Sequence, residues 1–131
     1  MSLNKPRPRP GTKYLYISSK MTNMPDLARD AFRAKATELR ADGSAVWNPH
    51  EHQPKRCSTW ADFIRDDIGV LERRCDGIYM FGRWYRSQGA LVELLSAHRI
   101  GLSIVIEQWW LLPLQWILNR TSHVEPMEVK N

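Results

Sequence analysis

Aromatic and aliphatic residues alternate over positions 14–18 behind a Gly-Thr-Lys lead, and this period of two predicts a first strand. The period then changes. Leu27, Ala28, Ala31, Phe32, Ala36 and Leu39 recur at helical spacing, opened by Pro25-Asp26 with Asp26 as N-cap and stopped by Asp42-Gly43. A short strand over 45–47 ends at Asn48-Pro49, and a polar loop follows through Arg56. A second helix is predicted from a Ser58 or Thr59 cap to about Arg74, with Trp60, Phe63, Ile64, Ile68 and Leu71 as its apolar stripe. Residues 77–81 read as a third strand, 88–99 as a third helix and 102–106 as a fourth strand.

Strands and helices that alternate across short connections imply right-handed crossovers and a parallel sheet covered on both faces. The predicted fold is a small doubly wound α/β domain. Ligands of such sheets bind beyond the carboxyl ends of the strands, where the strand order reverses. That directs attention to the loops 18–26 and 82–87. Neither a GxGxxG nor a GxxxxGK[ST] motif is present, so standard dinucleotide and P-loop readings lose support.

The most apolar stretch, 104–118, is interrupted by Glu107, Gln108, Pro113 and Gln115. It falls short of the roughly twenty residues that span a bilayer. Trp109, Trp110, Leu111, Leu112, Leu114, Trp116, Ile117 and Leu118 are nonetheless expected to be buried, either on the chain's own core or in a dimer interface.

Composition adds a bound and charge adds a correction. The 131 residues, 43% hydrophobic and 25% charged, suit one domain. A net charge of +5 points at first to a polyanionic partner. Lys5, Arg7, Arg9 and Lys13 supply four of those cations with no acid beside them, leaving 15 basic against 14 acidic groups in the rest. The excess therefore describes an extended arm, in which Pro6, Pro8 and Pro10 alternate with Lys5, Arg7 and Arg9. It reads as a solubilising leader or as a phosphate-binding arm, with nucleic-acid contact no more than weak. No apolar stretch follows it, so it is not a secretory signal. Cys57 and Cys75 lack CxxC spacing, which suits a reducing cytoplasm and offers no metal site; His50 and His52 read as surface-loop residues. The expected organisation is an arm over 1–12, an α/β domain over 13–107 and a tryptophan-rich segment over 108–131.

Two carboxylates stand out on helical wheels. Asp67 lies four residues after Phe63 and seven after Trp60, within the apolar stripe of the second helix. A carboxylate there is either hydrogen-bonded to backbone or raised in pKa, as a general acid requires. Glu93 has Gly89, Ala90 and Ala97 as neighbours on its helical face, small side chains that leave room for a ligand above it. Its alternative is a solvated helix glutamate. Ser87 is a natural N-cap whose hydroxyl and the free first-turn amides form an anion site, Gly89 permits close approach, and Lys20 sits in the facing loop. A carboxylate nucleophile, a second carboxylate and an anion site describe a retaining glycosyl-transfer or hydrolysis centre.

Read in order, these pieces resemble the nucleoside 2-deoxyribosyltransferase-like superfamily, in particular its small, often phage- or prophage-encoded branch. The matching pieces are Tyr16-Ile17-Ser18-Ser19-Lys20-Met21-Thr22-Asn23, Phe32, Asn48-Pro49, Asp67-Ile68 and Cys75-Asp76, closed by the run from Gly82 and Trp84 through Ser87, Gly89 and Ala90 to Glu93. The resemblance implies a flavodoxin-like fold, no cofactor, and N-glycosidic cleavage or deoxyribosyl transfer on deoxynucleosides or their 5′-monophosphates. It places Glu93 on the nucleophile, Asp67 on the acid that assists base departure and Tyr16 on the residue that orients the nucleophile. Ser18, Ser19, Lys20, Met21, Trp84, Ser87 and Gly89 fall on substrate-binding positions. Serine at 87, where transferases of free nucleosides carry aspartate, resembles the nucleotide hydrolases that use it for the 5′-phosphate. Ser19, Lys20 and Asn23 stand where the branch has Gly, Pro and Gly, so Lys20 either holds phosphate or fills the pocket. The family resemblance also implies a homodimer or higher homo-oligomer. The alternative reading is a nucleotide-binding protein without catalysis.

Overall fold

The computed structural model describes residues 14–20, 25–52 and 59–107. The arm, Met21, Cys57 and the tryptophan-rich segment lie outside the described residues. Seven elements follow in order: β1 (Tyr14–Ser18), α1 (Pro25–Ala41), β2 (Ala45–Trp47), α2 (Trp60–Arg74), β3 (Gly77–Met80), α3 (Gln88–Arg99) and β4 (Ser103–Ile106). Two short 3-10 turns, Pro49–Glu51 and Trp84–Arg86, precede α2 and α3.

The four strands pair in the order β2-β1-β3-β4, all parallel. This is the flavodoxin-like order, and it reverses between β1 and β3. Because side chains alternate along a strand, β1 sends Leu15 and Ile17 to one face and Tyr16 and Ser18 to the other. Leu15 and Ile17 pack with Phe32, Ala36 and Leu39 of α1. Tyr16 joins Leu71 of α2 and Ala90, Leu94 and Ala97 of α3 in the second core. Each strand is buried almost throughout, as a sheet sandwiched between helices requires. Asp76 ties the sheet's lower edge, its Oδ1 accepting from the Tyr14 amide at 2.7 Å.

Helix boundaries follow local chemistry, with three departures from the sequence pattern. Pro25 is already the first helical residue of α1, so Asp26 stands in the first turn instead of capping it. Proline suits that position because its missing N–H would have had no intrahelical acceptor. Leu27 and Ala31, assigned to the apolar face of α1, are exposed. On α2 the stripe divides: Leu71 is buried, whereas Trp60 and Phe63 are 57% and 43% exposed. The end caps do follow the pattern, with Thr59 Oγ1 accepting from the Asp62 amide at 3.1 Å and Gly43 taking φ +97° after α1. Gly82 opens the loop after β3 with φ +62°, and a Cβ there would stand 2.7 Å from Ser19 Oγ. Glycine takes this left-handed φ without strain and leaves the Ser19 hydroxyl its place against the loop after β3. No helix among the described residues is long and apolar enough to cross a membrane.

Candidate active site

A cleft of about 520 Å³ opens at the carboxyl ends of β1 and β3, bounded by α2 and the start of α3. Its floor is polar because of the phase of two elements. β1 turns Tyr16 and Ser18 toward α3, and α3 turns Glu93 inward together with Ala90, Leu94 and Ala97. The Tyr16 hydroxyl donates to Glu93 Oε2 at 2.6 Å and the Ser18 hydroxyl to Oε1 at 2.7 Å. Glu93 is only 7% exposed, so two short hydrogen bonds hold a carboxyl that has left water.

Asp67 completes the cluster from α2, half-buried at the cleft wall and in reach of both Tyr16 and Glu93. Burial and repulsion between the two carboxyls push the proton affinity of Glu93 up, while the Tyr16 and Ser18 hydroxyls oppose that rise. Asp67 is raised as well, to about 6, by burial above all; its hydrogen bond with Glu93 opposes that rise and nearby Asp66 adds to it. Tyr16 itself is pushed well above the usual phenol range by its burial and by Glu93. Two acids this close share a proton and release it in coupled steps.

The remaining predicted positions divide three ways. Ser87 caps α3, its Oγ accepting from the Ala90 amide at 3.1 Å, and lines the cleft with Gly89, Ser19 and Lys20. The N1 and N2 amides of Gln88 and Gly89 have no acceptor within the helix. Lys20 is exposed and stands at the rim. Trp84 is elsewhere: it is 3% exposed in the core beneath α3, edge-on to Tyr85 at 5.7 Å, and does not line the cleft. The 3-10 turn before Ser87 rotates that indole into the core while leaving Tyr85 and Arg86 outside. Met21 lies outside the described residues. The small neighbours of Glu93 also serve two purposes, since Gly89 and Ala90 border the cleft while Ala97 is core.

Of the lining residues that the sequence did not assign to the site, three bear on its chemistry. Arg86 adds a second cation beside Ser87. Its signal was its position immediately before the cap. Trp60 and Phe63, which the sequence places in the apolar stripe of the second helix, form an aromatic wall of the cleft. A Cβ on Gly89 would meet Ile64 Cδ1 at 3.4 Å, an ordinary contact, so this glycine is not sterically required by the protein.

The Tyr16 hydrogen bond gives a direct test of the cluster. Tyr16→Phe removes one donor that favours the ionised form, so Glu93 should titrate roughly one to two pH units higher. Carboxyl NMR titration of the variant checks this, and an unchanged Glu93 titration would mean that the hydroxyl does not tune it.

A family model described as a domain of unknown function, DUF4406, matches residues 13–106. The chain belongs to the DUF4406 family. That match runs from the start of β1 to the end of β4, so every element contributing to the cleft lies inside the DUF4406 domain. A search of the curated proteins finds no match. Chemically, the DUF4406 site of this chain combines a buried carboxylate held by two hydroxyls, a second carboxyl of raised proton affinity, and a cationic rim at a helix start. Such a set can supply a nucleophile, a proton donor and an anion seat.

Proposed function

We propose that the domain cleaves the N-glycosidic bond of deoxynucleoside 5′-monophosphates, with Glu93 as nucleophile. The observation that carries the reading is the buried Glu93, fixed by Tyr16 and Ser18 and paired with Asp67 at the floor of an open cleft. The family resemblance drawn from the sequence supports it independently.

At rest the more deeply buried Glu93 holds the shared proton more tightly than Asp67. The reaction uses the tautomer with that proton on Asp67, which the two hydroxyl donors to Glu93 help to populate. Glu93 attacks C1′ as the bond from C1′ to the base nitrogen breaks. The bonding pair leaves with the base, and Asp67 delivers its proton there. Water then attacks C1′ of the glycosyl ester, its proton passing to Asp67, and the C1′–O bond to Glu93 breaks to restore the carboxylate. A second base in place of water gives deoxyribosyl transfer. The 5′-phosphate is seated by the Gln88 and Gly89 amides, the Ser87 hydroxyl, Arg86 and Lys20.

A panel of deoxynucleosides and their 5′-monophosphates, followed by chromatography of released base, tests both parts. Monophosphates should be cleaved with at least about 10-fold higher kcat/KM than nucleosides, and Arg86→Ala should remove much of that preference. Equal turnover of both substrate sets would remove the phosphate seat. Nucleotide binding with no base released would replace the enzyme by a binding protein.

A further inference from the structure

The cleft has two chemically different ends, and the mechanism uses only one of them. Arg86, Ser87 and Lys20 crowd the start of α3; Trp60 and Phe63 occupy the first turn and a half of α2. Both aromatics are substantially exposed, at 57% and 43%, although they continue the same helical stripe that buries Leu71 further down. A stripe that leaves the core while still facing a cavity has an apolar surface that none of the described residues covers.

The position of that surface relative to Asp67 decides what covers it. Phe63 precedes Asp67 by four residues and Trp60 precedes it by seven, so all three lie on one helix face in successive turns. Any leaving group protonated by Asp67 must come within hydrogen-bond distance of that carboxyl, and must therefore lie against Phe63 and near Trp60. The leaving group of the proposed reaction is a flat aromatic heterocycle.

We infer that Trp60 and Phe63 form the nucleobase subsite, holding the base by its faces. This rests on the proposed glycosidase reading and extends it to substrate choice. Stacking senses the area of a ring system and not its pattern of donors and acceptors, because every base has a π-face. The site therefore accepts all bases and binds purines more tightly than pyrimidines, while the phosphate end supplies the strict requirement.

Steady-state kinetics of Phe63→Ala and Trp60→Ala with one purine and one pyrimidine deoxynucleoside 5′-monophosphate test the inference. KM should rise about 10- to 100-fold, more for the purine, with kcat within a few-fold. Trp60→Phe, which keeps a ring, should retain most of the wild-type KM. Calorimetric binding of the same nucleotides to the Glu93→Gln protein and to its Phe63→Ala derivative gives a readout that does not need turnover. Unchanged KM and unchanged binding in the alanine variants, with base release intact, would overturn this inference alone. A shift in sedimentation of the variants with KM unmoved would also overturn it, assigning the aromatics to a contact between copies. Absence of any nucleotide binding would overturn it together with the reading beneath it.

Discussion

Glu93→Gln is expected to lower base release by roughly 10⁴-fold or more, while nucleotide binding persists. The substitution keeps the shape of the side chain but removes the atom pair that can form an ester with C1′. An amide oxygen can still accept one of the two hydroxyls, from Tyr16 or Ser18. The amide nitrogen turned toward the other hydroxyl oxygen donates where Glu93 accepted, a reversal that a rotating O–H can accommodate. The cleft should therefore retain its form and its phosphate seat. Single-turnover base release at saturating monophosphate isolates the chemical step from binding. Release at the wild-type rate would remove Glu93 as nucleophile. A loss of only about 10²- to 10⁴-fold at Asp67→Asn would be consistent with its separate part as proton donor.

The strands and helices were legible because each is periodic over its own length. β1 and α3 occupy the residues their patterns predicted, and the sheet follows from their alternation. Glu93 was legible through its small neighbours, which left a vacancy on one helix face. The contact between Tyr16 and Glu93 spans 77 positions, and no local pattern encodes it; it was expected only through the family resemblance. Trp84 was expected at the substrate only through the family resemblance, as part of the run from Gly82 to Glu93. Only the rotation of the 3-10 turn places it in the core. Trp60 and Phe63 are the opposite case. An amphipathic stripe reports which face is apolar, not whether protein or ligand covers it. Arg86 was marked among 19 basic residues only by its place immediately before the Ser87 cap, and the fold turns it to line the cleft.

The buried acid pair should also make the domain less stable as pH rises, and Glu93→Gln should remove most of that dependence. Folding raises the proton affinity of Glu93 from its ordinary 4.5 to about 8, and raises Asp67 too. Between those limits the folded state binds more protons than the unfolded chain, so unfolding free energy falls with increasing pH. The stabilising difference is fully present below the ordinary carboxyl range. It is lost as pH climbs through the raised affinity, at ~1.4 kcal/mol per pH unit for each proton, or a few kcal/mol in total. His50 works the other way: burial against Phe32 and the charge of Arg29 lower its proton affinity, so it costs stability on acidification. That contribution is common to both proteins and cancels in their difference. Urea unfolding of wild type and Glu93→Gln from about pH 5 to pH 8.5 should give curves that diverge steadily, the variant becoming the more stable at the alkaline end. Parallel curves would mean that Glu93 is ionised throughout, with its two hydroxyl donors outweighing both burial and Asp67.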